Sequence, residues 1–166
     1  ADTDTSGNTP LHQAVYNGQS EVIRELLKAH PETVDAVNDS GETPLLLACA
    51  SGNLVVVQML LGAGADVQKS LLDGRSPLHF AAFQGNSFIG RDLLAARAQV
   101  DRQDEAGQTP LIVAARQGNN DFTALLLENG ANVNLADNAQ QTALYYATEG
   151  GFTEIVEQLI MAGAEG

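Results

Sequence analysis

The chain has little that is bulky, little that is basic and almost no sulfur. Tryptophan is absent and aromatics make up only 5% of the residues, although 44% are hydrophobic. Packing must therefore rest on alanine, leucine, valine and glycine, which suits close helix-on-helix contacts better than a bulky mixed core. A single cysteine, Cys49, excludes an internal disulfide. Set in "LLLACAS", it reads as a small buried hydrophobe. Long apolar runs are missing as well: "LVVVQMLL" (Leu54–Leu61) falls far short of the roughly 20 residues a membrane-spanning helix needs. The first residue is Ala1 and not methionine, which reads as a trimmed start. No compartment signal is legible, so the expectation is a soluble chain, cytoplasmic by default, with secretion or a periplasmic location left open.

The shortage of positive charge excludes more. Eight basic residues stand against 21 acidic ones, for a net charge of −13. Nucleic acid, whose phosphates require a basic footprint, is excluded as a partner, and so are anionic membrane surfaces. The imbalance is uneven along the chain. Residues 1–68 and 117–166 each sum to −7, whereas residues 69–116 sum to +1. Such a distribution should steer in a basic or mixed-charge partner.

What the sequence does have is a period. Thr9-Pro10, Thr43-Pro44, Ser76-Pro77, Thr109-Pro110 and Thr142-Ala143 recur every 33 or 34 residues. Each is followed by a glycine: Gly18, Gly52, Gly85, Gly118 and Gly151. A second apolar stretch comes next, in order "EVIRELL", "LVVVQMLL", "FIGRDLL", "DFTALLL" and "EIVEQLI". The Thr or Ser hydroxyl caps a helix that proline starts, since proline has no N–H to leave unsatisfied there. The glycine supplies the left-handed stop. Asn53, Asn86 and Asn119 then stand where a second helix would take its N-cap, and Gly64, Gly130 and Gly163 end that helix. Two short helices cannot bury their apolar faces alone, so the units must stack.

These residues carry a resemblance. "DTSGNTPLHQAVYNG" (Asp4–Gly18), "DEAGQTPLIVAARQG" (Asp104–Gly118) and "LLLENGANVN" (Leu125–Asn134) are similar to the ankyrin repeat. The resemblance implies an all-α solenoid of stacked helix-turn-helix pairs joined by β-turn or hairpin loops. It implies one domain over residues 1–166, with repeats at about 4–37, 38–70, 71–103, 104–136 and 137–166. It also implies that His12 and His79, the histidines of the TPLH motif, are structural, bridging turn and neighbouring repeat. Nothing in the sequence nominates the base or nucleophile that a catalytic histidine would need. His30, in the repeat with one extra residue, reads as a loop histidine.

Two other motifs hint at chemistry and are outweighed. "GAGAD" (Gly62–Asp66) follows a helix where a phosphate loop would link strand to helix. "DTDTSG" (Asp2–Gly7) begins like a calcium loop, but Gln13 stands where the bidentate Glu should be. No catalytic, cofactor or metal site is therefore expected, and function must lie in a surface.

In ankyrin arrays the partner lies along a concave face of turn tips and first helices, so the resemblance implies a protein or peptide partner there and a chain that is itself a monomer. The positions it nominates include Tyr16, Leu72, Arg75, Phe80, Phe83, Arg116 and Tyr146. Leu71, Leu72, Arg75, Phe80 and Phe83 all fall in the third repeat, and aromatics and arginine are the usual interface anchors. The alternative is a recruiting segment of a larger enzyme or ligase adaptor whose catalytic part lies outside these residues. Two departures stand out. Arg97 replaces the helix-ending glycine of the third repeat, where positive φ is predicted. In the fifth, Gln140, Ala143 and Tyr145 replace glycine, proline and histidine, as in a capping repeat or an interrupted one.

Overall fold

The computed structural model describes residues 3–165, which form helices and turns with one isolated antiparallel bridge between Ala136 and Thr142. The chain forms two compact units, Ala1–Pro77 and Leu78–Gly166. In the first, α1 (Pro10–Tyr16) and α2 (Ser20–Ala29) precede a 3-10 turn at Pro31–Thr33, then α3 (Pro44–Ser51) and α4 (Leu54–Gly62). The second unit holds α5 (Pro77–Gln84, whose first residue closes the first unit), α6 (Ser87–Ala95), α7 (Pro110–Gln117), α8 (Asn120–Glu128), α9 (Ala143–Glu149) and α10 (Thr153–Met161). Within each unit, first helices pack on first helices and second helices on second: α1 on α3, α2 on α4, α7 on α9, and α8 on both α6 and α10. This is the all-α stacked arrangement that the period demands.

The helices α1, α3, α7 and α9 begin with the threonine cap that the repeat marks. The hydroxyls of Thr9, Thr43 and Thr109 accept the N–H groups of His12, Leu46 and Ile112 at 3.2 Å, and Thr142 accepts that of Tyr145 at 3.3 Å. Leu11, Leu45, Leu78 and Leu111, one residue after the proline, are buried. The second N-cap holds in two repeats only. Asn53 and Asn86 accept from Val56 and Ile89. Asn119 does not cap α8; its amide instead donates to the carbonyls of Ala82 (2.7 Å) and Phe83 (3.2 Å), at the end of α5. Free C-terminal carbonyls of one helix thus compete successfully for the side chain expected at the next.

The turns are built alike. Asp4, Asn38, Leu71, Asp104 and Asp137 each donate their N–H to the carbonyl four residues on, and each accepts, at its carbonyl, the N–H of the residue three on. Asp4, Asn38, Asp104 and Asp137 add a side-chain oxygen that accepts two further turn N–H groups. Leu71 has no such oxygen, and Asp73 substitutes in part by accepting the Arg75 N–H. Successive turns join edge to edge, with Asp39 donating to Ser6 and Asn138 to Ala106. A Cβ at Gly107 would lie 2.6 Å from Asn138 Oδ1, so that turn needs glycine for space as well as for φ.

Arg97 has φ of +72°. Its N–H bonds Leu94 and the next N–H, of Ala98, reaches back to Leu93, repeating the pattern that Gly64 and Ala65 make with Leu61 and Leu60. A Cβ at Gly64, Gly130 or Gly163 would meet nothing within 4 Å, so the fold has room for a side chain there and only backbone strain opposes one. That strain is roughly 1–2 kcal/mol, against an unfolded-state entropy cost for glycine of about 0.4–1 kcal/mol. Arg97→Gly is accordingly expected to leave the melting temperature unchanged or raise it by a few degrees. A clear drop in thermal unfolding would show that the guanidinium stabilises the chain by more than the strain costs.

Candidate functional site

The histidines come first, because chemistry would begin with them. His12 is buried, and its Nδ1 accepts the Thr9 N–H at 3.0 Å. That occupies the lone pair, so the proton sits on Nε2 and is donated to the Glu42 carbonyl at 2.8 Å, in the next repeat's turn. His79, also buried, places Nε2 2.7 Å from the Gln108 carbonyl in the same way. Neither ring faces a cavity with a free nitrogen. Both are rivets between a helix start and the following turn. His30 lies exposed at the end of α2, 3.5 Å from Glu32.

Cys49 is fully buried, and burial pushes its thiol up to about 12, so it is no nucleophile at neutral pH. Within "GAGAD", Gly64 (φ +89°) ends α4 as a helix stop. Of the calcium-like stretch, Asp2 lies outside the described residues. The Asp4 carboxylate accepts from the N–H groups of Ser6 and Asn8 and from the amides of Asn8 and Gln13. Hydrogen bonds from Asn8 lead in holding its pKa below the usual value. Among the described residues no three His, Cys, Asp or Glu side chains are grouped to hold a metal ion.

The surface positions are more informative. In the first unit, Tyr16 at the end of α1 is 78% exposed and borders a cleft of about 340 Å³ shared with Asp4, Asn8, His12, Gln13, Glu42 and Leu47. Leu72, at the third turn, is 89% exposed although its side chain passes close over Gly41. Beside it Arg75 folds onto Asp73, Nε to Oδ2 at 2.8 Å. In the second unit, Phe83 is 59% exposed and Phe80 half-buried. The third-repeat cluster expected from sequence is thus divided, with Leu72 and Arg75 in the first unit and Phe80 and Phe83 in the second.

One group of expected residues is brought together. The Arg116 guanidinium sits 4.9 Å from the centroid of the Tyr146 ring, on the adjacent first helix, within cation–π range. Arg116 also donates to Gln108 Oε1 at 3.1 Å. The Tyr146 hydroxyl donates a short hydrogen bond to the Asp137 carboxylate, and Tyr145 meets the ring edge-on at 5.3 Å between centroids. Asp137 is the residue that sequence reasoning missed. It is buried, and it gathers Tyr146, the Gln108 amide and the Ala139 and Gln141 N–H groups. The signal was present, since Asp137 holds the same place in its repeat as Asp4 and Asp104.

Burial alone would raise the Asp137 pKa, but hydrogen bonds from Tyr146, Gln141, Gln108 and Ala139 outweigh it and the net shift is downward. The bond to Asp137 in turn raises the Tyr146 hydroxyl above its usual value. The fold therefore favours ionised Asp137. Its contribution to stability is complete above the unfolded carboxyl pKa of about 3.9 and is lost as pH falls through the lower folded value. Urea unfolding followed from neutrality down to about pH 3 should lose stability in that acid range, and Asp137→Asn should flatten that loss. An identical acid limb in the variant would assign the pH dependence to other carboxylates.

Comparison with known proteins agrees with this architecture. The family model for ankyrin repeats, in three copies, matches residues 1–70, 31–104 and 78–166. Diacylglycerol kinase zeta of Rattus norvegicus is 43% identical over 68 residues, covering 40% of this chain and 7% of that protein. The E3 ubiquitin-protein ligase KEG of Arabidopsis thaliana is 32% identical over 71 residues, covering 43% of this chain and 4% of the ligase. Ankyrin repeat and SOCS box protein 2 of Bos taurus is 36% identical over 66 residues, 40% of this chain and 10% of that protein. The matched stretches thus span a tenth or less of these relatives' lengths. With the Thr-Pro caps, the bridging histidines and the repeated turn now each located, the chain belongs to the ankyrin-repeat family.

Proposed function

We propose that this chain is a non-enzymatic recognition module that holds a basic or mixed-charge protein or peptide on its turn-and-first-helix face. The observation that carries the reading is the ordering of Arg116 and Tyr146 before any partner arrives. Arg116 is clamped by Gln108 and the tyrosine ring, and Tyr146 by Asp137. Side chains fixed in advance lose less entropy on binding, and arginine and tyrosine are the types that most often dominate an interface. Phe83, on a first helix of the same unit, is exposed as well, and in the other unit Tyr16 and Leu72 are exposed at first-helix and turn positions of their own repeats.

Affinity capture with the folded chain, run beside a Leu72→Ala/Phe83→Ala variant of equal melting temperature, tests this reading. The wild type should retain a partner that the variant loses. With that partner in hand, the association rate should fall as salt shortens the Debye length to about 8 Å, because the chain carries −13. Equal capture by both proteins, or a salt-independent rate with an acidic partner, contradicts the proposal. A second reading, a recruiting segment within a larger enzyme or ligase adaptor, is favoured by the brevity of the matches to a kinase and a ligase. The full reading frame that contains these residues separates the two.

A further inference from the structure

Two grooves between adjacent repeats are built from the same sequence positions, and one of them holds a guanidinium of its own. In the second unit, Arg116 of the fourth repeat places its guanidinium 4.9 Å from the ring centroid of Tyr146 in the fifth, while donating to Gln108 Oε1 at 3.1 Å. In the first unit the corresponding positions are Asn8 and Tyr16 of the first repeat and Leu47 of the second, and they border the cleft of about 340 Å³. The aromatic has changed sides. Tyr16 stands where Arg116 stands, and Leu47 where Tyr146 stands.

The charge differs as well. In the second-unit groove Arg116 offsets the carboxylates of Asp104 and Asp137. The first-unit cleft has two carboxylates, Asp4 and Glu42, and among its described lining residues no lysine or arginine. Glu42 stands where the fifth repeat has Gln141. His12 adds no charge, since its Nδ1 accepts the Thr9 N–H and its Nε2 donates to the Glu42 carbonyl. The cleft is also ordered. The Asn38 amide nitrogen donates both to Asn8 Oδ1 at 2.8 Å and to Glu42 Oε1 at 2.9 Å, which holds two acceptors from neighbouring repeats side by side. Each of these oxygens has the lone-pair capacity for a second donor.

We propose that this cleft is an arginine subsite: a guanidinium from the partner seats between the Tyr16 ring and the Asn8 and Glu42 oxygens, as Arg116 seats between Tyr146 and Gln108 in the second unit. The inference rests on the reading that a basic or mixed-charge partner lies on turns and first helices, and it names that partner's anchoring side chain. Charge complementarity selects a cation. The planar fork of a guanidinium also matches paired oxygens and stacks on an aromatic ring, whereas an ammonium matches chiefly the charge. Residues 1–68 contain two basic residues, Arg24 and Lys28, both on α2 and outside the cleft lining.

Magnetic resonance titration of the 166-residue chain with N-acetyl-arginine amide, beside N-acetyl-citrulline amide of similar shape but no charge, tests the proposal. The arginine probe should move the backbone amide signals of Gln13, Tyr16 and Glu42 to saturation and leave those of Gln108 and Tyr146, where Arg116 already sits, in place. The citrulline probe should move none of them. Glu42→Gln, which copies Gln141, and Tyr16→Ala, whose folding the same spectra check, should each weaken binding about threefold or more. Tyr16→Arg supplies the guanidinium from within, as Arg116 does, and should abolish it. No saturable shift, equal shifts from citrulline, or variants that bind the probe as the wild type does would each overturn the subsite. A partner that the wild type captures and the Leu72→Ala/Phe83→Ala variant loses, with no arginine binding, overturns the subsite alone. Arginine binding with equal capture by both proteins supports the subsite and contradicts the recognition reading.

Discussion

Phe122→Ala is expected to lower the unfolding free energy by about 3–5 kcal/mol, the largest stability loss predicted for any single side chain here. Phe122 is the bulkiest of the fully buried side chains. Its ring occupies the space that Gly90 leaves open on the neighbouring second helix. Truncation removes apolar area from the core and leaves a cavity that the surrounding helices close only in part. The same geometry fixes the sign of a second change. Alanine is normally favoured over glycine within a helix by about 1 kcal/mol, yet Gly90→Ala should destabilise by about 1–3 kcal/mol because its methyl must displace the ring. In the Phe122→Ala background that penalty should vanish or reverse. Urea unfolding of the four proteins forms a double-mutant cycle. Additive effects would mean that the two positions do not share one space.

The second large effect concerns binding. Against the captured partner, Tyr146→Ala and Arg116→Ala should each weaken affinity by more than about 2 kcal/mol, the scale of an interface hot spot. Tyr146→Phe discriminates between roles. It keeps the ring beneath the guanidinium but removes the hydroxyl that bonds Asp137. If preordering matters, the loss should be intermediate and should fall mainly on the dissociation rate, because the electrostatic approach is unchanged. Stability measured alongside separates binding from packing. A variant that unfolds more easily but binds as the wild type does would make the cluster a structural tie of the fifth repeat.

Much of the fold was legible because its determinants are local. Thr-Pro pairs, helix-ending glycines and turn Asx residues act over fewer than seven residues, so the period alone locates helices and stops. Arg97 was legible for the same reason: a position that needs positive φ keeps that need when the side chain changes. Asn119 does stand at the N-cap position that the spacing marks, but its side chain binds carbonyls 36 and 37 residues earlier in place of its own helix, and sequence spacing carries no distance information of that kind. The match of Gly90 to Phe122 was hidden likewise, since it depends on the register of two helices across a repeat. At the candidate site, residue types were legible and couplings were not. Arg116 and Tyr146 were expected on one face, but the buried Asp137 that holds the tyrosine looked like an ordinary turn residue.

The central claim is that recognition takes place on turns and first helices, and amide hydrogen exchange with and without the captured partner tests it most directly. The account predicts slowed exchange at the turn tips around Asn8, Glu42, Arg75, Gln108 and Gln141 and through the first helices near Phe83 and Arg116. Protection confined to the second helices around Val55 and Phe88, with the turns unchanged, would contradict it.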